Sequence, residues 1–208
     1  MSLPSRLLGA NPSIQVSALL SGSLSTPSAK GVFTVPNSFE SIATSTLSTA
    51  TASITFSSIP ATYTHLQIRC IARTNGTGTS QNLNMTINND QNASYSLHQF
   101  SADGTSASAY GESVGRTNCV QVVHITGSSS GASIFGAGII DILDYTNTNK
   151  NRTVKTLRGQ VQNASDQSVG INTYLYTSTT AISRLDFSAG SGNLVQYTQI
   201  ALYGIKGS

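Results

Sequence analysis

Eight acidic side chains are all the carboxylates this chain of 208 residues has, so acid–base chemistry would have to come from very few positions. Asp141 and Asp144 flank the end of an apolar stretch in DILDY. As a pair they would serve a glycosidase, one giving a proton to the leaving oxygen and the other attacking or activating water at a set separation across the sugar. Nothing else in the chain supports that chemistry. Aspartates that bond nearby backbone amides in a turn account for the same spacing. His65, His98 and His124 stand one to a segment, without His-x-His or Cys-x-x-Cys spacing, and so predict no metal site. There is no Gly-x-Ser-x-Gly, no phosphate loop and no dinucleotide fingerprint; Gly76-Thr-Gly and Gly136-Ala-Gly are too short to serve as one. The expectation is a non-enzymatic protein with no catalytic residue, no metal ligand and no cofactor.

Binding is the chemistry that remains. Sugar sites combine aromatic faces with Asn, Asp and Gln hydrogen bonding. Tyr95, Tyr110, Tyr145, Tyr174 and Tyr176 lie near Asn-rich loops and are the candidates. Tyr174 and Tyr176 share parity and point to one sheet face. The competing reading is a core or subunit contact, since tyrosine buries area while keeping a polar handle. Nucleic acid is not expected. The net charge of +3 reflects scarce acids, and Lys150, Arg152, Lys155 and Arg158 form the one local basic cluster, short of a binding stripe.

The elements that would position such residues are strands. Ser and Thr make up more than a quarter of the chain, while charged residues are 9%, against roughly 25% in an ordinary domain. Thr suits exposed strand positions, and Asn, Gly and Ser suit turns. Apolar spacing is two almost throughout. In HLQIRCIAR, Leu66, Ile68, Cys70 and Ala72 share one face and Gln67, Arg69 and Arg73 the other. Leu83, Met85 and Ile87 point inward in the next segment. Strands are also expected over 52–59, 95–100, 118–125, 134–143, 152–161, 170–176, 182–187 and 197–205, with 101–113 a Ser/Ala/Gly loop. Gly136 and Gly138 suit a bulge or a close backbone approach. No amphipathic helix is evident. About nine or ten short strands between polar turns predict an all-β protein, an antiparallel, jelly-roll-like β-sandwich over residues 37–208. Cys70 and Cys119 fall in apolar strands and read as small buried hydrophobes.

Residues 1–36 differ. They carry four of the five prolines, at positions 4, 12, 27 and 36, with apolar patches between them: Leu7, Leu8, Ile14, Val16, Leu19 and Leu20. Proline forbids a long helix or a central strand there. An extended N-terminal arm laid on a partner surface would need this pattern. The opening residues hold one Arg and a broken apolar run, which fits neither a secretory leader nor a membrane span, so synthesis in a cytoplasm and no membrane insertion are expected.

Four stretches carry a resemblance: SRLLGANPSIQVSALLSGSLSTPSA, SFESIATSTLSTATASITFSSIPATYTHLQIRCIAR, DILDYTNTNKNRTVKTLRGQ and SAGSGNLVQYTQIALYGIKG. Together they resemble small virion proteins of tailed bacteriophages, notably those of cyanobacteria and other marine bacteria. The motifs are structural, and no functional residue carries over from them. The resemblance implies a virion-surface protein made in the host cytoplasm. Its partners would be capsid or tail proteins, with a homotrimer expected. A capsid decoration protein held by the arm is the first form this takes. A short tail fibre or adhesin that binds host-surface glycan is the second.

Overall fold

The computed structural model describes residues 38–163 and 166–207, so the arm residues Leu7, Leu8, Ile14, Val16, Leu19 and Leu20 lie outside the described part. The described residues form twelve strands and no helix. They build an antiparallel β-sandwich, the fold class read from the alternation above.

The larger sheet has eight strands. In spatial order they are β1 (Phe39–Thr46), β12 (Gln199–Ile205), β3 (His65–Ala72), β8 (Gly136–Ile142), β9 (Arg152–Asn163), β10 (Asp166–Tyr176), β5 (Tyr95–Ala102) and β6 (Ala107–Arg116). The smaller sheet has four: β2 (Ser53–Phe56), β11 (Leu185–Ala189), β4 (Ser80–Ile87) and β7 (Cys119–Thr126). Every ladder between these strands is antiparallel.

The sheets face each other across a core that the period-two pattern dictates. Leu66, Ile68, Cys70 and Ala72 on β3 are all buried, as are Leu83, Met85 and Ile87 on β4 and Leu185 and Phe187 on β11. Phe56 meets Phe187 edge-on, with ring centroids 6.2 Å apart. Each such side chain contributes about 1.5–3 kcal/mol when taken fully out of water. The glycines of β8 bring the layers together. A Cβ at Gly136 would sit 2.0 Å from the His124 carbonyl oxygen, and one at Gly138 would sit 2.5 Å from a Val123 methyl. The close approach expected of these glycines is therefore where β7 crosses β8.

Two strands differ from the sequence expectation. The segment read as a loop over 101–113 instead contains most of β6, whose residues pair with β5 from Ala102↔Ala107 to Tyr95↔Arg116. β6 is an edge strand with almost no buried side chain, so it carries no apolar alternation to read. β1, at the opposite edge, is likewise half exposed along its length.

Candidate functional site

The two aspartates that could have done acid–base chemistry each engage a partner of their own. Asp141 points outward from β8 and accepts a hydrogen bond from Gln67 Nε2 at 2.9 Å. Asp144 sits in the following turn at a left-handed φ of 48°. There it pairs with Lys150, which holds its carboxyl below the usual carboxylate range. Each aspartate serves its own local contact, and the DILDY spacing is that of a strand end and its turn. His65 Nδ1 accepts the Asp144 backbone N–H at 3.0 Å. His124 Nδ1 meets Ser168 Oγ at 2.8 Å, and His98 projects from the outer face of β5. Among the described residues no three His, Cys, Asp or Glu side chains converge.

Four of the five candidate tyrosines belong to the interior. Tyr95, Tyr145, Tyr174 and Tyr176 are at most 2% exposed, so none can touch a surface glycan or a neighbouring subunit. The shared parity of Tyr174 and Tyr176 is real, but it turns both rings toward the core. Tyr95 and Tyr176 stack with centroids 4.8 Å apart. Each of three hydroxyls donates to a main-chain oxygen: Tyr95 to Asp90 at 3.0 Å, Tyr174 to Val120 at 2.7 Å, and Tyr145 to Pro60. Burial drives the Tyr95 and Tyr174 hydroxyls far above the ordinary tyrosine range. These polar handles give buried rings a main-chain partner, in loops for Tyr95 and Tyr145 and on β7 for Tyr174. Tyr110 alone is exposed, on edge strand β6, where it hydrogen-bonds Glu112.

The feature that stands out is the outer face of the large sheet. Strand register places outward side chains in continuous rows. One row runs Arg69, Ile139, Leu157, Ile171, Phe100 and Ala109 across β3, β8, β9, β10, β5 and β6. The row beside it runs Ile71, Ala137, Gly159, Val169, Ala102 and Ala107. Ile71, Leu157, Val169, Ile171 and Phe100 remain about half exposed, with Val161 and Leu175 at the margins. Above Gly138 and Gly159 the face dips into a shallow apolar depression lined by Ala137, Ile139, Leu157 and Val169.

A third row, Gln67, Asp141, Lys155, Thr173, His98 and Gly111, borders the apolar rows with polar groups. Beyond it Phe39 and Tyr203 stack at 4.7 Å, with the Arg69 guanidinium 5.5 Å from the Phe39 ring. Strand spacing of about 4.8 Å and a rise of about 3.3 Å per residue give the apolar rows and their side-chain border a footprint of roughly 400 Å², the size of the largest, often functional, patch on a soluble protein. An apolar centre with a polar rim is also the anatomy of a protein–protein interface.

Sequence reasoning missed this face. The available signal was β10 itself, where Val169, Ile171 and Leu175 alternate with Tyr174 and Tyr176, so both parities are apolar. A strand like that has an apolar outer face as well as an apolar inner one.

A second, polar groove lies at the end of the sandwich, lined by Tyr63, Thr64, Asp144, Thr146, Asn147 and Asn149. No protein-family model matches the sequence, and neither a curated protein nor a solved structure matches it.

Proposed function

We propose that this chain is a non-enzymatic structural protein of a tailed bacteriophage particle. In this reading it is a capsid decoration protein that attaches through residues 1–36 and stands on the virion surface as a homotrimer. The observation that carries the reading is the apolar outer face of the eight-stranded sheet. Leu157, Val169, Ile171 and Phe100 exposed side by side on one face give an assembly subunit a surface to bury. In a trimer the three large sheets would turn this face toward the threefold axis. The low charge density favours the same outcome, since little on the surface resists close approach of like copies. The resemblance of the four stretches to phage virion proteins supports the setting.

The tail fibre or adhesin reading keeps one specific support, the polar groove beside Asn147 and Asn149. It has lost the four tyrosines now in the core. Location decides between the two readings. The protein is labelled on intact particles and imaged by electron microscopy. Label spread over the head supports decoration, label confined to the tail supports the adhesin, and purified particles without label refute both.

A further inference from the structure

Among the described residues three arginines are buried between the sheets or beneath the loops, and two of them give their donors to backbone oxygens. Arg73 Nη1 donates to the carbonyls of Gly131 at 2.8 Å and Ile134 at 3.1 Å, and Nη2 donates to Ser130 at 3.0 Å. Arg152 spreads its donors over Tyr145, Lys150, Thr179 and Thr180 in the same way.

Arg158 is built differently. It lies on the inward face of β9 and is 1% exposed. Its Nε donates to Asn172 Oδ1 at 3.2 Å, and Asn172 is held in turn by Tyr174 Oη at 2.7 Å and the Gln121 carbonyl at 2.9 Å. Its Nη1 and Nη2 are both buried without a hydrogen-bond partner among the described residues. The plane of the guanidinium lies over Gly170, where a Cβ would come within 3.0 Å of Cζ, so the strand beneath is cut back to make room for it. No carboxylate among the described residues pairs with it. The His124 imidazole, which feels the Arg158 charge, is held neutral first by burial and then by that charge.

The neighbours on the same inward face of β9 also offer donors. Thr156 Oγ1 and Gln162 Nε2 are buried and unpartnered. Gln160 bonds Ser80 Oγ at 2.6 Å through its amide, and turning that amide over keeps the contact while aiming an N–H inward. A buried guanidinium without a counter-charge costs several kcal/mol, so the arrangement persists where something neutralises it.

We propose that Arg158 is the centre of an anion-binding site inside the sandwich that takes a small monovalent anion of the halide class. The paired Nη donors are the ligands, Asn172 fixes their plane, and the donor row of β9 excludes a cation. A spherical ion asks for no donor geometry beyond the two Nη groups, which suits the halide class.

The test is crystallographic and thermodynamic, on the full chain. Crystals grown in sodium bromide are measured at the bromine edge. An anomalous peak within hydrogen-bond distance of Arg158 Nη1 or Nη2 is expected; ordinary water density there, with no anomalous signal, overturns the proposal. In parallel, Tm is followed while sodium bromide replaces sodium gluconate at constant ionic strength. The wild-type Tm is expected to climb by several degrees with rising bromide, and that of Arg158→Met to stay level. Equal slopes for the two proteins would sink the idea. If Arg158→Met does not fold, the wild-type slope and the anomalous map still decide.

Discussion

Replacing Ile171 with lysine puts a charge at the middle of the apolar outer face without touching the core. Ile171 points outward from β10 between Leu157 and Phe100, and 53% of it is open to solvent. Full burial of an isoleucine is worth about 1.5–3 kcal/mol, so covering the remaining half would contribute about 1 kcal/mol to each contact between copies. Lysine forfeits that and adds an unpaired ammonium to a closed interface, a penalty of several kcal/mol. Taking about 4 kcal/mol per contact, each is weakened roughly a thousandfold, and in a trimer the loss recurs at all three.

Sedimentation equilibrium reads the result directly. The wild type is expected at three times the 21.7 kDa mass of the chain, and Ile171→Lys at that of one chain. Thermal unfolding of the isolated variant should be little changed, because the replaced side chain already faces water. A wild type that sediments as a monomer, or a variant that assembles as the wild type does, refutes the argument that this face is an interface between copies.

Three other outcomes are expected. Tyr174→Phe removes the hydroxyl that links Asn172 to the Val120 carbonyl, so both lose a hydrogen bond. Denaturant unfolding should show a loss of about 1–3 kcal/mol, and a change under a few tenths would contradict the assigned role. Cys70 and Cys119 are buried free thiols; burial pushes Cys70 up to about 12 and raises Cys119 as well. Neither should react with a thiol reagent at pH 8 until the protein unfolds, when two equivalents should appear. The His124 imidazole is held down at about 4 in the folded protein, against 6.5 when free, first by burial and then by the Arg158 charge. The unfolded chain therefore takes up this proton before the folded one does. At low salt, stability should fall as pH drops from about 6.5 toward 4, by at most about 3 kcal/mol. A His124→Asn variant should lose that slope between pH 6.5 and 5, above the range where the carboxylates titrate; an unchanged slope assigns it to another group.

The strands with one wet and one dry face were legible in the sequence, because burial there follows hydrophobicity. β3 and β4 bury the residues their alternation names. The edge strands β1 and β6 were not, since neither has a buried face to give it a pattern. β9 inverted the usual signal. Arg152, Thr156, Arg158, Gln160 and Gln162 point inward while Leu157 and Val161 point out. Polarity cannot assign faces on a strand that buries its arginines and leaves Leu157 and Val161 exposed. The tyrosines failed for a related reason. An amphipathic ring suits a wet interface and a dry core equally, and the carbonyls of Pro60 and Val120 that draw the Tyr145 and Tyr174 hydroxyls inward lie 85 and 54 residues away in sequence. Of the candidate binding residues only Tyr110 stayed at the surface.

The place of β12 in the sheet has a consequence for biosynthesis. It lies between β1 and β3, with Ile200 opposite Cys70 and Ala201 opposite Thr44. A ribosome delivers β1 and β3 early and β12 long afterwards. Until then, among the described strands, β1 has no partner and β3 is paired only by β8. The large sheet cannot close during translation, and two hydrogen-bonding edges stand open in the nascent chain. Such long-range pairing places folding on the slow, millisecond-to-second side of the range and exposes the intermediate to edge-to-edge aggregation. Yield in a recombinant host should therefore depend on how quickly β12 is released, with slower elongation through its codons lowering the soluble fraction.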